Sequence, residues 1–319
     1  MSPEDRSHGL RPVFLSALAH ELGEVRHLRD LTGALPAAEL ETLRGNGFVH
    51  YRQALGSTSD LAVASIAKTL AAVPELEVGA LVWATNSPSE LSTHSQDAWE
   101  ILRRSSLPFA PPVVVGGNGC GNLAPALRLA RDWSRSERPP AVVLVTADRV
   151  GRGSRFEPSA EVVLSDGAAS CVVGPQPYGA GFRVLGISTA VRAELGSSAS
   201  FMAGARLIKA GIREALDKLG IGPSEAGSHF RALISGHYSP TTQRLFANLC
   251  GFSPDQVHAP LAAELGHCFS SDLLIELGGI GASGALSHGD RLLLLASSPH
   301  SWSLMAVEYA DDRPLTDHC

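Results

Sequence analysis

Short apolar runs alternate with stretches of helical periodicity along almost the whole chain, and the series is run through twice. Alternation of this kind requires parallel α/β layers, because each strand needs a crossover helix to bring the chain back beside its neighbour. In the first half the spacing predicts strands at 13–16, 80–85, 113–116, 142–147 and 170–173. Helices are predicted at 59–72, with Thr58 or Ser59 as N-cap, and at 123–135. In the latter, Leu123, Leu127, Ala130 and Trp133 share one face while Arg128, Arg131 and Arg135 take the other. The second half repeats the scheme with a strand at 184–187, a helix at 201–219, a strand at 232–235, helices near 242–250 and 271–277, and strands at 292–296 and 304–309. ALVWAT in the first half has its counterpart in ALISGH in the second. The boundary falls in PQPYGAG, so the expected units are residues 1–174 and 175–319.

Composition narrows the class without choosing a function. A chain of 319 residues, 44% hydrophobic and 18% charged, is long enough to bury a substantial core. No apolar run approaches the roughly 20 residues of a membrane span, and MSPEDRSHGL has no signal-peptide apolar region, so a cytoplasmic protein is expected. The five cysteines, at 120, 171, 250, 268 and 319, are odd in number and irregularly spaced, which suggests neither a disulfide framework nor a metal site. A formal charge of −6 argues against general nucleic-acid binding. There is no phosphate-binding loop and no dinucleotide fingerprint.

Cys120 is the residue with the clearest chemical setting. In VVVGGNGCGNLAPALRLARDW an apolar strand runs through Gly-Asn-Gly-Cys-Gly into a helical pattern. A helix N-terminus presents unpaired N–H groups and the positive end of the dipole, which favour the thiolate that attacks thioester carbons. The flanking glycines let an acyl group approach the backbone. A lone cysteine is more often a buried inert one, so its context decides.

From about Arg11 to Tyr309 the sequence resembles the thiolase superfamily, and within it the type III ketoacyl-ACP synthases and their acyltransferase relatives. The segments that carry the resemblance are TSDLAVASIAKTL, ALVWATNSPSE, the Cys120 segment, AVVLVTADR, LSDGAASCVVG, ISGHYSP, GDRLLLLASS and WSLMAVEY, in the family's order and spacing. The resemblance implies a thiolase fold: duplicated βαβαβαββ halves that build a five-layered αβαβα core from two central sheets, in a homodimer. It also implies an acyl-carrier-protein or coenzyme A thioester as co-substrate and no bound cofactor.

In condensing relatives the thiol is joined by a histidine and an asparagine. His237 in ISGHYSP stands at the histidine position, and His267 in GHCFSSD stands where the asparagine is expected. An imidazole takes a proton from a nucleophile and an amide does not, so the exchange points from enolate stabilisation to general-base chemistry. Asp272, five residues on, is placed to fix the tautomer of His267, giving a Cys120–His267–Asp272 triad like that of the non-condensing branch. The alternative for Asp272 is a helix N-terminal acid that answers the dipole. His237 is either a buried structural group or a hydrogen-bond donor to the thioester oxygen. The oxyanion hole is expected at the Cys120 N–H with a second donor from ASSPHSW, where Pro299 has none and Ser298, His300 or Ser301 are candidates.

Phe48 and Arg52 fall at the spacing of the pair that sandwiches the adenine of coenzyme A in relatives, or they are a core ring and a surface charge. Arg206, Lys209 and Arg213 form a basic helical stripe, either a solvated face or a docking surface for an acidic carrier. The favoured reading is transfer of an acyl group through a Cys120 acyl-enzyme to a hydroxyl, amine or thiol of a small acceptor in natural-product biosynthesis. The alternatives are a decarboxylative carbon–carbon condensing synthase and a non-catalytic partner subunit, the latter opposed by the retained Cys, His and Asp residues.

Overall fold

The computed structural model describes residues 11–87, 92–107, 110–151, 153–193, 201–222 and 224–311. In chain order the first half contains β1 (Phe14–Leu22), β2 (Glu24–His27), α1 (Ala37–Gly45), β3 (His50–Gln53), α2 (Thr58–Ala71), β4 (Val78–Ala84) and α3 (His94–Arg104). It continues with β5 (Pro112–Val115), α4 (Leu123–Ser136), β6 (Ala141–Asp148), β7 (Phe156–Glu157), β8 (Val162–Val163) and β9 (Gly167–Gly174). The second half begins with β10 (Gly181–Val191), α5 (Phe201–Lys218), α6 (Ala226–His229), β11 (Ala232–Ser235), α7 (Pro240–Cys250) and β12 (Val257–His258). It ends with α8 (Ala262–Leu265), α9 (Asp272–Ala282), β13 (Arg291–Ser298) and β14 (Ser301–Ala310).

The strand order β12-β11-β13-β14-β10-β1-β9-β6-β4-β5 reads outward identically from its centre in both directions. Thus β1 corresponds to β10, β9 to β14, β6 to β13, β4 to β11 and β5 to β12. The pairing directions agree as well: β4 runs parallel to β5 and β6, and β11 parallel to β12 and β13. The two expected sheets are joined edge to edge, where Phe14, Leu15 and Ser16 pair with Arg183, Phe182 and Gly181. The junction is short because β1 bulges after Ser16, where Ala17 takes φ +49°.

Strands in the middle layers are buried on both faces, which is why they read as unbroken apolar runs. Ala80, Val82 and Ala84 of β4 pack with Leu123 and Leu127 of α4 and with Leu273 and Leu277 of α9. The alternate residues Leu81 and Trp83 pack outward with Ile66 of α2 and Ile101 of α3. On the other sheet, Leu293 and Leu295 face outward with Leu216 of α5 and Phe246 of α7. The layers are therefore α2/α3, sheet, α4/α9, sheet, α5/α7, the five-layered thiolase arrangement. Helix α3, with its Thr93–Gln96 capping box, and the β2–β3 and β7–β8 ribbons were not anticipated from periodicity.

Candidate active site

The two central helices set the site. Each is preceded by a single 3-10 turn, Gly119–Gly121 before α4 and Phe269–Ser271 before α9. Cys120 lies on the first of these, just ahead of the helix rather than in its first turn. Gly117 at φ +85° and Gly119 at φ +53° supply the left-handed backbone that the turn needs. Asn122 clamps it from below, accepting from the Asn118 N–H at 2.9 Å and donating to the Thr85 carbonyl at 3.0 Å. Cys120 is partly exposed, whereas Cys171, Cys250 and Cys268 are buried. Burial pushes the Cys171 and Cys250 thiols up to about 12, and Cys268 rises well above its ordinary value for the same reason, so these three are poor nucleophiles.

His267 is delivered from the other half. Its N–H donates to the Val163 carbonyl at 2.8 Å and its carbonyl accepts from Ser165 at 2.9 Å, so the LSDG strap holds it. Gly266 makes that approach possible: at φ +66°, a Cβ there would stand 2.6 Å from Ser165 Oγ. His267 Nε2 lies 3.1 Å from Cys120 Sγ, and Nδ1 lies 2.5 Å from Asp272 Oδ2. A carboxylate accepts, so Nδ1 carries a proton, and Nε2 is the nitrogen placed to exchange a proton with the thiol. Ser270 Oγ donates to the Cys120 carbonyl at 3.1 Å and ties the two turns together.

Asp272 is fully buried and also accepts from the backbone N–H groups of His237 and Cys268, each at 2.7 Å. Burial alone would raise its carboxyl, but the positive charges of His237 and His267 and these hydrogen bonds outweigh it and hold it low. Burial likewise works against the His267 cation; the charges of Asp272 and Cys120 overcome it and set the imidazole well above its ordinary value.

The structure does not bring His237 to the thiol. Its Nδ1 meets the Gly266 carbonyl at 2.7 Å and its Nε2 meets Glu276 Oε1 at 2.8 Å, so it has no N–H left for a thioester oxygen. Glu276, one helical turn after Asp272, captures the ring. Tyr238 stands beside the base instead, its ring 5.1 Å from that of His267. It folds back there because residue 236 is glycine, where a Cβ would lie 2.8 Å from the ring. Burial, and then the charges of Cys120 and Asp272, raise its phenol well above the ordinary value, so it remains a donor.

Phe48 is also corrected. Gly47 at φ +85° ends α1 and turns Phe48 into the outer core, where it is 4% exposed and has no face to offer an adenine. Arg52 lies half-buried on β3, its N–H accepted by Ser165 Oγ at 2.9 Å. Ser298 and Ser301 reach the site's floor, both donating to Asn118 Oδ1, at 3.3 and 2.5 Å. The Ser301 N–H is committed to Ser298 Oγ at 3.1 Å, and His300 is exposed at the hairpin tip, so both brace or border the Cys120 turn rather than aim at it. Arg206, Lys209 and Arg213 are exposed on one face of α5. Sequence reasoning missed Tyr238 and Glu276; the available signal for the latter was one acid in the apolar run LLIELGGIG.

The duplicated halves and paired central helices define a thiolase fold. The chain is similar in structure to ChlB3, an acyltransferase, at 19% identity over 96% of this chain and 100% of the other, with a TM-score of 0.79. It is similar to the 3-oxoacyl-(acyl carrier protein) synthase III of Pseudomonas aeruginosa PAO1 at 16% identity over 95% and 100%, TM-score 0.76. A third match is the priming β-ketosynthase of the R1128 polyketide pathway, at 17% identity over 95% and 98%, TM-score 0.77. Identity at this level shows a shared fold. No protein-family profile and no curated protein sequence matches the chain. Among the described residues, no helix is long and apolar enough to cross a membrane.

Proposed function

We propose that the protein is an acyltransferase that moves an acyl group from a carrier or coenzyme A thioester to a hydroxyl, amine or thiol. The observation that carries this reading is the 3.1 Å and 2.5 Å relay from Cys120 through His267 to Asp272. Cys120 Sγ attacks the thioester carbon and His267 Nε2 holds the thiol proton. The carbonyl re-forms as the donor's sulfur leaves, and that sulfur takes the proton from His267. In the second half-reaction the acceptor gives its proton to His267, attacks the acyl carbon and releases the Cys120 sulfur, which recovers the proton.

Acylation also retunes the base. A negative Cys120 is one of the causes that hold His267 high, and an acylated sulfur carries no charge. The imidazole then falls toward its ordinary value, so it is free to take the acceptor's proton. The Tyr238 phenol and the Cys120 N–H are the donors we assign to the oxyanion. The likeness to ChlB3 favours this reading, and the displacement of His237 from the thiol disfavours decarboxylative condensation. A homodimer, with the exposed α5 stripe receiving an acidic carrier, completes the proposal.

The test is incubation with acyl-coenzyme A and acyl-carrier thioesters followed by peptide mass spectrometry. The expected result is acylation of the peptide that contains Cys120 and its discharge by added nucleophiles. No acylation with any donor overturns the reading. Stoichiometric carbon dioxide from a malonyl thioester, with a carbon–carbon bonded product, replaces it with condensation.

A further inference from the structure

Behind the triad lies a second buried set of ionisable groups that the transfer steps do not use. His237 is fully buried at the end of β11, and each of its ring nitrogens faces oxygen acceptors. Nδ1 has the Gly266 carbonyl at 2.7 Å and Asp272 Oδ1 at 3.1 Å. Nε2 has Glu276 Oε1 at 2.8 Å. A neutral imidazole has one N–H and one lone pair. Its lone pair would here be pressed against a carbonyl or a carboxylate oxygen, so the arrangement is satisfied only when both nitrogens donate.

The charges around it agree. Asp272 and Glu276 lie one turn apart on α9, and both are buried with side chains 0% and 1% exposed. Two buried carboxylates this close do not both stay ionised without a cation between them. His258 of β12 faces the outer side, its Nε2 3.6 Å from Glu276 Oε2 and its side chain 27% exposed, and burial lowers its own affinity for a proton. Tyr238 and Cys268, the remaining titratable neighbours, are held in their neutral forms. His267 touches the far oxygen of Asp272.

We infer that His237 is a buried imidazolium, fixed between Asp272 and Glu276, and that it acts as a positioning residue that sets how strongly Asp272 draws on the proton of His267. It touches no reacting atom. This rests on the triad reading only for its effect on transfer; the protonation state of His237 stands on the geometry alone. A cation against Asp272 keeps that carboxylate ionised at the cost of part of its pull, so His267 is tuned below the basicity an isolated Asp272 would give it. The raised proton affinity of His237, which Asp272 and Glu276 sustain against burial, has the same sense.

Nitrogen NMR of the histidine rings in the full chain tests this, with His237 assigned by the loss of its signals in His237→Gln. In the unmodified protein both His237 nitrogens should remain protonated at pH values where an ordinary histidine has lost its second proton. In Glu276→Gln, whose side chain keeps the shape and offers an N–H, His237 should lose its second proton at a lower pH than in the unmodified protein. The lost cation stands directly on Asp272 and the lost carboxylate behind it, so the His267 titration should move upward by about one unit. The pH profile of transfer from pre-acylated enzyme should move with it. A neutral His237 ring at pH 7 in the unmodified protein overturns the inference, and so does an unmoved His267 titration in Glu276→Gln. Both readings are taken without turnover, so a protein that fails to acylate refutes the transferase reading and leaves this one to its own result.

Discussion

The turns that precede α4 and α9 are the same device used twice. Gly119 and Phe269 open them at φ +53° and +54°, and Asn122 and Asp272 follow in helical conformation. What stands on the shared backbone has diverged. The second position of one is a partly exposed thiol, while its counterpart Ser270 is buried and spends its hydroxyl on tying the turns together. Asn122 is a clamp for its own turn, and Asp272 orients a histidine. The duplicated core therefore supplied one geometry, and the chemistry was divided by single side chains. The glycine and phenylalanine also show what each turn is optimised for. A left-handed phenylalanine costs about 1 kcal/mol or more of backbone strain. Burying its ring, here 5.8 Å from that of His267, gives back roughly 1.5–3 kcal/mol, so packing wins at the second turn.

The largest effect should come from breaking the thiol side of the comparison. Cys120→Ala should abolish acyl-enzyme formation, measured by intact mass, with an unchanged melting temperature. Ser270→Ala, the same place in the other turn, should still acylate; equal loss in both would show that the turn rather than the thiol is what matters.

Next is the base. His267→Asn should lower transfer from pre-acylated enzyme by about 10²- to 10⁴-fold, and Asp272→Asn should follow in the same direction. Measured single-turnover rates that stay at the unmodified value in both variants would remove the triad.

Smaller still is the turn itself. Gly119→Ala places a side chain at positive φ and should cost ~1 kcal/mol in denaturant unfolding. An unchanged midpoint would mean that the left-handed glycine is dispensable.

The least effect concerns Asp148, beneath the first turn. It is fully buried, its carboxyl is pushed up to about 7 by burial against the opposing hydrogen bonds of Asn86, Thr85 and Ser87, and its Oδ2 has no partner among the described residues. The folded state holds its proton above the ordinary carboxylate value while the unfolded chain releases it, so stability falls as pH rises from about 4 through 7. Asp148→Asn keeps the Oδ1 acceptor and removes that dependence. Its melting temperature should gain on the parent more at pH 8 than at pH 5, and a constant gap would contradict the assignment.

Much of this was legible in the residues. Apolar strands buried on both faces announced the sheets, and Cys120, His267 and Asp272 could be read because each lies in or beside a short turn at a helix start, where spacing fixes its place. His237 and Phe48 were misplaced for a common reason. Each belongs to a segment whose position sequence gives well, but the direction of the side chain was decided by a partner far away: Glu276 for the first, the outer core for the second. Tyr238 went unseen because its place beside His267 depends on the missing Cβ of Gly236, a steric fact with no periodicity to signal it.

The division of the site between the halves has a consequence during synthesis. A growing chain that has reached Gly174 already holds Cys120 on its completed sheet, yet neither His267 nor Asp272 has been made. Cys120 has no imidazole beside it until α9 packs in the same layer as α4, so in the proposed transfer the thiol and its partner are brought together by the folding of the second half rather than by the appearance of the thiol.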